Sequence, residues 1–147
     1  MRIIKNILLI IVIGVLVYFY VQNGNNVHDP HSERVSVDNQ SILDAIHKRL
    51  KDVQVNGSGK VSRVLSDDNY GDRHQRFVLR LPHGHTVLIA HNIDLAPRIG
   101  NLKQGDVVEF YGEYEWNSKG GVVHWTHHDP NGHHKDGWLK HNSRVYK

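Results

Sequence analysis

LKQGDVVEFYG, spanning residues 102–112, carries the strongest fold signal in this chain of 147 residues. Its pattern is L-x-x-G-D-x-V-x-F-x-G. Gly105-Asp106 is turn chemistry. From Val108 the apolar residues fall on every second position, the period of a strand with one buried face. The strand this predicts, VVEFYGEYEW, ends at an NSKGG hairpin turn, and VVHWT returns. Upstream, HQRFVLRLP alternates, with Phe77, Leu79 and Leu81 on one face. TVLIA is a short, nearly all-apolar strand, and VQVNGSGKVSRVL reads as a strand with a Gly-Ser-Gly break. Residues 92–106 form a connector with one helical turn at most, because Pro97 interrupts it. GWLKHNSRVY predicts a final hairpin around Asn142-Ser143.

Short strands with turns between them indicate a small sandwich or barrel. The string at 102–112 is common before the fourth strand of OB-type barrels. The expectation is therefore a mainly β chain: a small OB-like barrel with an added C-terminal hairpin. The alternative is another small β-barrel with extra hairpins. One short amphipathic helix is expected over residues 41–50. Ser41-Ile-Leu-Asp44 has the form of a capping box, and Ile42, Leu43, Ile46 and Leu50 follow at helical spacing.

The N-terminus has a different character. Arg2 and Lys5 precede an uninterrupted apolar run at residues 7–21, and no small-residue cleavage pattern follows it. This layout predicts an uncleaved signal anchor over residues 1–22. The expected order is then a polar linker at 23–40 and a barrel domain at 41–147. The positive-inside rule puts the N-terminus in the cytoplasm, with a single pass through the inner membrane and the domain in the periplasm. A cleaved signal would make the protein secreted. Setting aside Arg2 and Lys5, the net charge of +3 falls to about +1, so nucleic acid is not an expected partner. There are no cysteines, so any metal must be held by His, Asp or Glu.

Histidine is the compositional anomaly, with 13 residues. HWTHHDPNGHHKDGW, residues 124–138, holds five of them around an Asp129-Pro130-Asn131-Gly132 type I turn. With strands on both sides, His128 would face His133 and His127 would face His134. Each pair could then span a divalent ion such as zinc. The metal candidates are His124, His127, His128, His133 and His134. No complete metal motif is present, and the competing reading leaves these rings solvated or packed. His91 with Asp94 could orient an imidazole for base chemistry, although an Asp there also suits turn capping. The catalytic candidates are thus His91, Asp94 and Asp129. A binding surface is expected from His74, Arg76, His91, Trp125 and Trp138.

RHQRF (73–77), AHNIDLAPRIG (90–100) and GEYEWNSKGGVVHWTHHDPNGHHKDGW (112–138) resemble a small bacterial family of unknown function, of DUF3465 type. That resemblance implies an exported or membrane-anchored OB-like protein and brings no established activity. The leading expectation is a membrane-anchored extracytoplasmic binding module. Its histidine-rich surface would meet a small ligand, an oligomer partner or an envelope protein. The alternatives are a metal-dependent, phosphodiesterase-like hydrolase built on the hairpin of residues 124–134, and a histidine-rich buffer for divalent metals.

Overall fold

The longest strand explains the architecture. A computed structural model describes residues 37–147, in which β1 runs unbroken over Val53–Val64. The Gly-Ser-Gly stretch does not break it. Gly57 and Gly59 point into the barrel, where a Cβ on Gly57 would come within 2.5 Å of the Phe110 ring and one on Gly59 within 2.9 Å of the Arg80 carbonyl. The glycines serve close approach of neighbouring chain rather than a turn. A register shift between Val61 and Arg63 bends β1, so that its first part pairs with β4 and its last part with β2.

The remaining strands are β2 (His74–Arg80), β3 (Thr86–Asn92), β4 (Val107–Glu115), β5 (Val122–His124), β6 (Trp138–His141) and β7 (Arg144–Tyr146). Their order is β1-β2-β3-β5-β4, and β4 returns to β1, closing a five-stranded barrel. The β3–β5 pair is parallel, and the others are antiparallel. The expected C-terminal hairpin is β6–β7, laid along β4. Its turn residues Asn142 and Ser143 both have positive φ, as a two-residue hairpin turn demands.

Alternation places Val55, Phe77, Leu79, Ile89, Phe110 and Tyr114 inside. The helix α1 (Gln40–Lys48) plugs one end of this core with Ile42 and Ala45. Its capping differs from expectation. Asn39 precedes the helix without a side-chain cap, and Ser41 lies inside it. The Ser41 hydroxyl instead accepts from the Asn56 backbone N–H at 3.0 Å, anchoring the helix to β1. The expected anchor at 1–22 and most of the linker lie outside the described residues. Among those described, no helix is long and apolar enough to cross a membrane.

Barrel closure can be tested at Gly112 on β4. A Cβ there would meet the His124 carbonyl oxygen at 2.5 Å. Gly112→Ala is expected to cost about 1–3 kcal/mol in urea unfolding, as overpacking does. Gly100→Ala, with open space around it, should stay within about 0.5 kcal/mol of the parent.

Candidate functional site

The histidine stretch forms a loop rather than a hairpin. β5 ends at His124 because Trp125 adopts a φ of 51° and turns the chain away. The type I turn forms as expected, with Gly132 N–H donating to the Asp129 carbonyl at 3.2 Å. No strand flanks it on either side. The Asp129 carboxylate accepts from the backbone N–H groups of His134 at 2.8 Å, Asn131 at 2.9 Å and His133 at 2.6 Å. This curls residues 131–134 around one charge. The same bonds hold the Asp129 carboxyl down at about 2. Asp136 closes the loop by accepting from the Asp129 N–H at 2.9 Å and from His128 Nδ1 at 2.7 Å.

The expected His128–His133 and His127–His134 pairs are therefore absent, because the chain that should carry them is not extended. His134 stacks on Trp125, with ring centroids 3.7 Å apart, and its Nδ1 lies 3.4 Å from the Glu113 carboxylate. His124 stands 3.7 Å from the other oxygen of Glu113. His133 is exposed. Trp138 stands beside Tyr111 on β4, and Arg76 reaches Asp68 and the Ser66 carbonyl. Among the described residues, no three His, Asp or Glu side chains converge closely enough to hold a metal ion.

His91 and Asp94 do not form a couple. His91 shares the inward face of β3 with Val87 and Ile89 and is 0% exposed, so it is no surface residue. Its Nε2 lies 3.2 Å from the Pro97 carbonyl, which can only accept, so Nε2 carries the proton. Its Nδ1 then accepts from the Thr126 hydroxyl at 2.8 Å. Asp94 faces outward and binds Arg73 through its backbone N–H and guanidinium. The turn after β3 is capped instead by Asn92, whose side-chain oxygen accepts from the Asp94 and Leu95 N–H groups.

A pocket of about 290 Å³ opens at this end of the barrel. It gathers His74, His124, Trp125, His127 and Asp129, all candidates from sequence. It adds Asp72, Asn92, Leu95, Pro130 and Asn131 from three separate loops and strand ends. Two of its imidazoles share one arrangement. His74 Nδ1 donates to the Asp72 carbonyl at 2.8 Å, and His127 Nδ1 donates to the His128 carbonyl at 2.7 Å. In the neutral ring each bond places the proton on Nδ1 and makes Nε2 the acceptor. His127 is only 3% exposed. It lines the pocket beside His124, whose Nε2 is buried without a hydrogen-bond partner among the described residues. Among the described residues, no Lys or Arg lines that space.

Gln75 gives no sign in the sequence beyond its strand position. It faces inward beside Phe77, and its amide clamps Ile99 through both N–H (2.9 Å) and C=O (3.0 Å). Glu113 is likewise visible only once β4 and β5 are paired.

Burial pulls the His91 pKa down to about 4 from 6.5, partly offset by the Pro97 carbonyl. The unfolded chain takes up this proton near 6.5, whereas the folded chain refuses it until about 4. Stability therefore falls as pH drops through that window, by about 3 kcal/mol for this group. Urea unfolding between neutral pH and pH 4 should show that loss, and His91→Gln should flatten it. Asp129 acts below the window, its stabilising effect fading as pH falls toward about 2.

No curated protein matches the chain. Residues 27–147 match a family described as "Protein of unknown function (DUF3465)". The matched region contains the whole barrel, the connector and the histidine loop, and the chain belongs to that DUF3465 family.

Proposed function

We propose that this protein is an OB-like binding module, tethered to the inner membrane by residues 1–22 and holding its barrel outside the cytoplasm, with the pocket around His127 as its ligand site. The strand order β1-β2-β3-β5-β4 closing on β1 supports the OB reading. The apolar run behind Arg2 and Lys5 supports the tether. One observation carries the binding site: a nearly buried imidazole, its Nδ1 held by a backbone carbonyl, lines a pocket of ligand size. The binding surface thereby narrows to His74, Trp125 and His127. A hydrolase using His124, His128 and His133 gains no support from the arrangement. His128 is engaged by Asp136, Asp129 is saturated by three N–H groups, and His91 is committed to Pro97 and Thr126.

A fragment screen followed by amide NMR on the full chain in micelles tests the site. Hits should shift Asp72, His74, Asn92, Trp125 and Asn131. Hits gathering around Arg76 or Tyr111 instead would overturn the assignment. A reporter enzyme active only outside the cytoplasm, fused after Lys147, should be active; an inactive but expressed fusion would overturn the tethered topology.

A further inference from the structure

We propose that the pocket takes a small organic ammonium ion, whose N–H groups bond to His127 Nε2 and whose charge faces the Asp72 carboxylate. This rests on reading the pocket as the ligand site and names the class of ligand. The chemistry of the walls selects it. His74 and His127 have spent their Nδ1–H donors on backbone carbonyls, so what remains is a pair of acceptors. Asp72 is exposed at the rim, and its carboxylate has no hydrogen-bond or ion-pair partner among the described residues. With no Lys or Arg among the described lining residues, an anion finds no counter-charge there.

A bare metal ion suits the pocket less well. The histidines and carboxylates do not converge as ligands do, and about 290 Å³ is far more space than one ion fills. An organic cation uses the rest of the lining. Trp125 supplies an aromatic wall, one face of which is already taken by His134. Aromatic faces attract cations. Leu95, 46% exposed at the mouth, and Pro130 offer apolar contact for a hydrocarbon portion.

Putrescine is a suitable probe, titrated into the full chain in micelles and followed by calorimetry, with zinc chloride and inorganic phosphate as comparators. Saturable putrescine binding is expected. His127→Asn keeps a donor near the His128 carbonyl but removes Nε2, and should weaken binding about tenfold, the worth of one hydrogen bond to a charged group. Asp72→Asn, at an exposed position, should weaken it about threefold. His83→Ala, on the turn before β3, should leave it unchanged. If His127→Asn does not fold, Asp72→Asn still decides the matter. Putrescine bound equally well by the parent and both pocket variants would overturn the proposal, because the ion would then sit elsewhere. Zinc or phosphate binding that depends on His127, without putrescine binding, would overturn the ammonium class and leave the pocket as the ligand site. No His127-dependent binding of any probe or screening fragment would overturn both.

Discussion

The pocket end of the barrel depends on one buried imidazole. Residues 93–106 carry no helix or strand and must cross from β3 to β4 over the core. Backbone groups in such a segment need partners when water is excluded. His91 supplies one by donating to Pro97, and on its other side accepts from Thr126 in the histidine loop. Gln75 supplies two more at Ile99. From outside, Arg73 grips Asp94. These polar ties, rather than secondary structure, position the walls around His127. They also explain why His91 stays neutral: a charged ring there would have to abandon water with only neutral partners at hand.

Much of the barrel was legible because period-two alternation is local. Val108 and Phe110, or Phe77 and Leu79, announce their strands without outside information. The failures share a physical cause, which is competition from distant partners. Ser41 looks like a cap until Asn56, fifteen residues away, takes its hydroxyl. Gly57 and Gly59 look like a break in the strand until Phe110 and Arg80 crowd against them. Membership of the DUF3465 family was readable from three strings of residues, and the family match covers all three.

The site was legible as composition but not as geometry. The turn at Asp129-Gly132 was predicted correctly, since Asp and Gly favour its end positions. What the sequence hid was the fate of the Asp129 side chain. By collecting the N–H groups of Asn131, His133 and His134, it denies those residues to a sheet ladder. The inward direction of His91 was available in principle. It follows Val87 and Ile89 on the same face of β3, and alternation alone separates it from Asp94.

The hairpin β6–β7 has a further effect. β4 pairs with β1 on one side and with β6 along Val108–Tyr111 on the other, so the strand order leaves an open sheet edge at β7, which is three residues long. It begins with Arg144, and short charged edges are poor templates for pairing with another chain. Copies brought close together therefore meet at this edge without zipping into shared sheets.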